Sequence, residues 1–322
     1  MTHDQHLVTP GWADYELLDS GDGAKLERFG GVTLARPETQ ALWAKREPAR
    51  WGEAHAVFSA GEKGGAWERV KEMPESWDVA YGPLRFVARL SSFKHVGIFP
   101  EQSPNWVWIK DGVKALGARQ EAARKQSGLP GEARTGDPRT FSQQPPDAHP
   151  HILNLFGYTG IATLAAAHAG AKVTHVDASK QSLTWASENA RATGLAEDAV
   201  RWIADDALAF AKREARRDAR YDGIILDPPA FGRGAKGEVW HIERDLPALL
   251  ALCHEILAEA PGAFFLVNGY AAGYASRAFA QAVESAFGGL SGVALAESGE
   301  LHIKENDSDR VVPAGIYCRF VR

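Results

Sequence analysis

Cysteine is almost absent from this chain. Two occur in 322 residues, Cys253 and Cys318, and neither belongs to a CxxC pair. That excludes a disulfide framework and a thiolate zinc site, and no metal is expected. Long apolar runs are missing as well, so no segment reaches the length of a membrane span. The opening Met1-Thr2-His3-Asp4-Gln5-His6 lacks the charged-then-apolar layout of a secretory signal. A cytoplasmic protein without membrane association is the expectation. Basic charge is not in excess either: 36 Lys and Arg face 41 Asp and Glu, a formal charge of −5. This argues against a general nucleic-acid coat, which rests on surplus Lys and Arg. It leaves room for an enzyme that meets RNA through one local basic face.

What is present is ordinary for a globular protein, with 45% hydrophobic and 24% charged residues. The length suffices for two domains, or for one with a large extension. Residues 1–95 read as a β-rich N-terminal domain. Tyr15 to Ser20 and Ala24 to Phe29 flank Gly21-Asp22-Gly23, a hairpin signal, and Val32 to Ala35 continues the meander. Trp77 to Ala80 and Leu84 to Leu90 flank a second turn, Tyr81-Gly82-Pro83. Trp12, Trp43, Trp51, Trp67 and Trp77 fall in this region. They fill a thin core or offer a base-stacking surface. Residues 105–126 read as a helix stopped by Gly128-Leu129-Pro130, and the proline-rich stretch 127–150 as a long loop, either a linker or a lid.

From His151 onward strands and helices alternate, which implies a parallel sheet covered on both faces. The closing segments Val293 to Ile303 and Gly315 to Val321 have no helix between them and should pair antiparallel. Ligands of such sheets sit beyond the carboxyl ends of the strands. There the first strand of this region runs into Asn154-Leu155-Phe156-Gly157-Tyr158-Thr159-Gly160. Its glycines permit a tight turn and close backbone approach, and amides at the next helix start can meet a carboxylate such as the methionine end of S-adenosylmethionine. Asp177, before Ala178, ends the second strand, where a carboxylate can accept ribose hydroxyls. Asp205-Asp206 ends the third, where an acceptor can hold the adenine amine. Each of these carboxylates is equally a candidate helix cap, as is Ser179. A nicotinamide site would prefer GxGxxG. The fourth strand ends in Asp227-Pro228-Pro229-Ala230-Phe231, which offers carboxylate and carbonyl acceptors on a stiff turn, with an aromatic ring to stack on a flat base.

These segments resemble the successive motifs of bacterial large-subunit ribosomal RNA methyltransferases that carry Asp-Pro-Pro. The resemblance runs from about Val96 to the end and includes Pro313-Ala314-Gly315-Ile316-Tyr317. It implies a doubly wound α/β fold of the Rossmann-like methyltransferase type: a mostly parallel seven-stranded sheet with an antiparallel last strand, spanning residues 96–322. It also implies a family segment that lines the methyl-donor pocket, here Gly97-Ile98-Phe99-Pro100-Glu101-Gln102-Ser103. Phe99 and Gln102 carry over, while Glu101 and Ser103 replace the family's Asp and Arg. Cytosine-5 transfer needs a thiolate, which the cytosine branch of the resembled family carries on the loop after the fifth strand; here that loop, Val267-Asn268-Gly269-Tyr270, has no cysteine. Transfer to nitrogen, or to oxygen, fits better.

The expected assignments follow the chain. Phe99, Gln102, Asn154, Phe156, Gly157, Tyr158, Thr159, Asp177, Ala178, Asp205 and Asp206 hold S-adenosyl-L-methionine; Asp227, Pro228 and Phe231 present the acceptor. RNA is the expected partner, with Arg134, Arg139, Arg233 and Lys236 as a positive rim, and the cluster Arg213, Arg216, Arg217, Arg220 as a solvated helix end. Two alternatives stay open: an acceptor that is a small molecule or protein side chain, and an inactive cofactor-binding module.

Overall fold

The computed structural model describes residues 4–61, 64–127, 149–234, 237–270, 273–288 and 297–322. An opening strand, β1 (Asp4–Thr9), precedes a meander of β2 (Tyr15–Gly21), β3 (Ala24–Phe29) and β4 (Val32–Pro37). Asp22 and Gly23 link β2 to β3 at φ 51° and 74°, the two-residue geometry whose twist matches that of a hairpin. β5 (Ala56–Gly61) pairs in parallel with β4, and β6 (Gly64–Arg69) completes a five-stranded sheet. β7 (Ser76–Tyr81) and β8 (Leu84–Arg89) form the second expected hairpin. The β5–β6 pair was not apparent in the sequence because β6 is mostly exposed and lacks an apolar alternation.

Helix α1 (Ser103–Ser127) starts two residues before the expected position. The proline-rich stretch lies, from 128 to 148, outside the described residues. The alternating half then runs β9 (His151–Leu155), α2 (Ile161–His168), β10 (Lys172–Asp177), α3 (Lys180–Thr193), β11 (Val200–Ala204), α4 (Ala207–Arg216) and β12 (Gly223–Leu226). A short hairpin, β13 (Phe231–Arg233) with β14 (Val239–His241), leads to α5 (Ile242–Ile256), β15 (Phe264–Gly269), α6 (Ser276–Phe287), β16 (Glu297–Lys304) and β17 (Val311–Val321).

The large sheet has the order β1-β16-β17-β15-β12-β9-β10-β11. β17 runs antiparallel to both its neighbours, as the missing crossover requires, and the other pairings are parallel. The central strands read as unbroken apolar runs because helices cover both faces; Ile224–Leu226 and Phe264–Val267 are at most 1% exposed. Each such side chain contributes about 1.5–3 kcal/mol through burial.

Eight strands therefore replace the expected seven. The extra one, β1, sits at the sheet edge in register with Asp4 opposite Ser298 and Thr9 opposite Ile303. An edge strand gains mainly from backbone pairing, and Val8 stays 42% exposed, so it left no hydrophobic signature. The chain thus crosses from the large sheet into the small ones and back, and a cut at residue 95 would remove one strand of the large sheet. The halves also share a core. Tyr15, Phe29, Phe86 and Trp106 cluster with Ile161, Leu164 and Ala190. Asn189 of α3 ties them by hydrogen bonds, accepting from the Val87 amide (2.8 Å) and donating to the Thr159 carbonyl (2.9 Å).

Candidate functional site

Chain order switches direction beside β9: β10 and β11 lie to one side of it, β12 and β15 to the other. That is where a crevice opens at the carboxyl ends of the strands. Backbone bonds tie these ends together. The Gly157 amide donates to the Val176 carbonyl (3.1 Å), and the Asp205 amide to the Asp177 carbonyl (3.1 Å). A cavity of about 750 Å³ fills the crevice, a size suited to a drug-sized or nucleotide-sized ligand.

The loop after β9 is held under strain. Phe156 and Tyr158 take positive φ, 57° and 48°, which non-glycine residues adopt at a cost. Asp177 compensates: its Oδ2 accepts the Tyr158 amide at 2.9 Å and its Oδ1 the Ser179 amide at 2.8 Å. Burial raises the Asp177 pKa above the ordinary value. Gly157 answers a different need from the one expected. A Cβ there would come within 2.3 Å of the His175 ring, so this glycine makes room for a buried histidine beneath the loop. His175 accompanies Asn154 through Thr163, whose Oγ1 lies 2.9 Å from both the Asn154 Nδ2 donor and His175 Nδ1. Burial pushes the His175 pKa down to about 3, so the ring is neutral.

The expected residues divide between two adjoining spaces. Phe99, Phe156, Tyr158, Asp177 and Ala178 line the large cavity, as do Asp205, Asp206, Asp227 and Pro228. Gln102, Asn154, Gly157 and Thr159 line a small cavity of about 50 Å³ behind it, and Phe99, Phe156, Tyr158 and Asp227 border both. The buried amides and hydroxyl are already engaged: Gln102 Nε2 donates to the Tyr270 hydroxyl (2.7 Å) and Thr159 Oγ1 to the Gly97 carbonyl (2.6 Å). Ser179 is the cap of α3, accepting the Ser182 amide, and Asp206 caps α4 by accepting the Ala209 amide at 2.8 Å. Asp205 pairs with Arg213. Both carboxylates still face the cavity.

Phe231 is not brought to the cavity wall. Pairing with β14 leaves it 50% exposed, edge-on to His241 at 5.0 Å, while Pro229, Gly232 and Arg233 line the cavity beside it. Of the expected basic rim, Arg233 is at the cavity and Arg134, Arg139 and Lys236 lie outside the described residues. Arg217 and Arg220 pair with Glu214 and Asp218, as a helix end would. Both cysteines are buried, and burial raises their thiol pKa values, that of Cys318 to about 12, so neither offers a thiolate.

Asp227 is the most perturbed carboxyl at the strand ends. The residue is half-buried, but its Oδ1 is shielded from solvent and has no hydrogen-bond partner among the described residues, and desolvation together with the nearby Glu101 raises its pKa to about 8. Glu101, itself buried, is pushed up to about 7, chiefly by burial. The N-terminal sheet supplies the opposite wall through Lys25, Arg36 and Glu38, which sequence reasoning missed. Lys25 lies 3.3 Å from Glu38 and 3.7 Å from Glu27, and Arg36 Nε donates to Glu27 at 2.8 Å. Alternation along β3 and β4 would place these charges on one face, but only the packing of the small sheet on the crevice reveals that the face is a cavity wall. His95 stands among them, its pKa lowered to about 3 by burial and by Arg36 and Lys94.

The chemistry of this donor set fits S-adenosylmethionine. Carboxylates at three successive strand ends face one cavity, aromatic rings of Phe99, Phe156 and Tyr158 border it, and an unpartnered buried oxygen of Asp227 lies at its end. The sequence profile of the S-adenosylmethionine-dependent methyltransferases matches residues 114–287, just over half of the chain. The crystal structure of the S-adenosylmethionine-dependent methyltransferase from Agrobacterium tumefaciens aligns over 98% of this chain and 93% of that one, with 37% identity and a TM-score of 0.83. The ribosomal RNA large subunit methyltransferase K/L of Pseudomonas aeruginosa is 28% identical over 258 residues, 79% of this chain and 30% of that protein. Its counterpart in Shewanella sp. strain ANA-3 is 37% identical over 110 residues, 33% of this chain and 15% of that protein. The chain thus spans less than a third of the length of these curated relatives. It is related to them and belongs to the S-adenosylmethionine-dependent methyltransferases.

Proposed function

We propose that the enzyme methylates a nucleobase nitrogen of ribosomal RNA, taken from a single-stranded or flipped-out nucleotide. The observation that carries this reading is the buried, unpartnered Oδ1 of Asp227 beside Pro228 at the end of β12. A base amine is the kind of donor such an acceptor is built to receive. S-adenosylmethionine, when bound, supplies a methyl group made electrophilic by the sulfonium charge. The protein's part is alignment. In this reading Asp177 accepts from the ribose hydroxyls with its remaining lone pairs, and Asp205 and Asp206 receive the adenine end. Asp227 and the Pro228 carbonyl orient the acceptor nitrogen, and the small β-rich part forms the wall that selects the acceptor. The relatives' names supply the substrate class.

The test is transfer of labelled methyl to unmodified large-subunit ribosomal RNA, followed by nucleoside analysis, alongside calorimetry with the cofactor. Label should appear in an N-methylated base. Asp227→Ala should lose transfer by about 100-fold or more, on the scale of a lost transition-state hydrogen bond, while cofactor affinity stays within a few-fold. Absence of label from RNA, with transfer to a small molecule or protein instead, would overturn the substrate class. Equal loss of transfer and cofactor affinity would remove Asp227 from the acceptor side.

A further inference from the structure

Outside the cavity's acidic floor, one cluster combines two imidazoles and a carboxylate among the described residues: His6, Glu300 and His302, with one donor atom from each inside a span of 4.8 Å. The register of the sheet explains the convergence. His6 of β1 lies opposite Glu300 of β16, and His302 follows two residues later, so all three side chains share one face. His302 Nε2 is 2.8 Å from Glu300 Oε2 and His6 Nδ1 is 3.8 Å from the same oxygen. Hydrogen bonding accounts for the first contact but not for the second. The two rings lie stacked, 4.9 Å apart and inclined by 25°. Bonds of 2.0–2.2 Å to one tetrahedral ion would separate its ligand atoms by about 3.3 Å, a value bracketed by the two distances. The His6 side chain is 56% exposed and free to turn its lone pair inward, whereas His302 is held at 12% exposure on the strand.

We infer that His6, Glu300 and His302 form a binding site for a divalent cation of the zinc class, which clamps the N-terminal strand to the sheet. Two imidazoles and one carboxylate suit zinc and its neighbours rather than magnesium or calcium, which prefer all-oxygen ligands. The absence of thiolate pairs, which led the sequence to be read as metal-free, does not bear on a site of this composition. His6 stands almost 300 positions from Glu300 and His302 in the chain and meets them only through the β1–β16 register. The clamp would act beyond itself. Thr9, at the end of β1, accepts a hydrogen bond from Ser103 Oγ (3.1 Å) and donates to the Glu101 carbonyl (3.3 Å), so the clamped strand supports the segment that borders the cofactor cavity. Glu300 itself reaches the cavity lining.

The experiment is calorimetric titration of zinc chloride into tag-free, chelator-stripped protein, with thermal unfolding at each zinc level. We expect one ion per chain and a rise in Tm of a few degrees at saturating zinc. His302→Ala and Glu300→Gln should each weaken binding at least tenfold and abolish the rise. His6→Ala, a change at a largely exposed side chain, should do the same while leaving the metal-free Tm unchanged. No binding, or binding that survives in His6→Ala and Glu300→Gln, would overturn the site. Neither result depends on the acceptor of the methyl group.

Discussion

Asp227 carries a conflict that the fold leaves in place. Burial, and then the neighbouring Glu101, lift its pKa from 3.8 to about 8, so the folded protein holds a proton that the unfolded chain releases. The contribution to stability follows directly: it is full below about pH 4 and is lost as pH rises through about 8, because the native state binds the extra proton over that window. Asp227→Asn should flatten this slope and, at the upper end, unfold with a free energy on the order of 3 kcal/mol more favourable to the native state. Urea unfolding across that pH range measures it. Parallel curves for the two proteins would mean that the carboxyl is solvated and that its orphaned oxygen has no energetic weight. The ionised carboxylate is the stronger acceptor, so kcat/KM in the proposed reaction should climb with pH toward an apparent pKa near 8. In the proposed reaction this strain has a use, because the carboxylate serves the acceptor at a position where a neutral amide would be more stable.

At the scale of elements, legibility tracked how local the determinants are. The hairpins β2–β3 and β7–β8 were readable because Asp22-Gly23 and Gly82-Pro83 write their turns into adjacent residues. The strand ends 154–160, 177, 205–206 and 227–228 were readable because each loop follows its own strand, and nine of the expected residues do line one cavity. Asp206 and Ser179 show the limit, since capping and ligand contact call for the same residue types. Lys25, Arg36 and Glu38 were invisible as site residues because their sheet packs on the crevice through long-range contacts. β1 was invisible for the same reason, its partner lying near residue 300. Its pairing rests on Gly299, where a Cβ would fall 1.6 Å from the Gln5 carbonyl oxygen. Gly299→Ala should therefore push β1 off the sheet and leave the rest folded, at a cost of about 1–3 kcal/mol, in the range of an overpacked core position. Amide hydrogen exchange should show residues 5–8 losing protection while β9 and β12 keep theirs. Retained protection at those amides would contradict the register of the edge strand.

For the whole molecule, the decisive feature is that the small sheets and the large half bury a common apolar cluster, beside which the five-stranded sheet holds a buried ion network of its own. Glu27 is inaccessible to solvent and receives Arg36, Tyr15 (2.9 Å) and Lys25, and of this network Lys25 and Arg36 line the cavity. Fixing charges there is costly in isolation, and removing one partner strands another in a medium that cannot solvate it. Arg36→Met should accordingly destabilise the protein by about 3–5 kcal/mol, whereas a double replacement with Glu27→Gln should recover much of the loss. The form of the transition is as informative as its position. With Tyr15, Phe29 and Phe86 packed against Ile161, Leu164 and Ala190, the two parts should unfold together, so tryptophan fluorescence, far-ultraviolet circular dichroism and cofactor binding should vanish along one coincident curve in wild type and variant. If Arg36→Met instead produced a species that had lost fluorescence from the β-rich part but still bound S-adenosylmethionine, the shared core would be energetically divisible. The small sheets would then be a detachable wall, and acceptor choice could change by exchanging them without rebuilding the cofactor site.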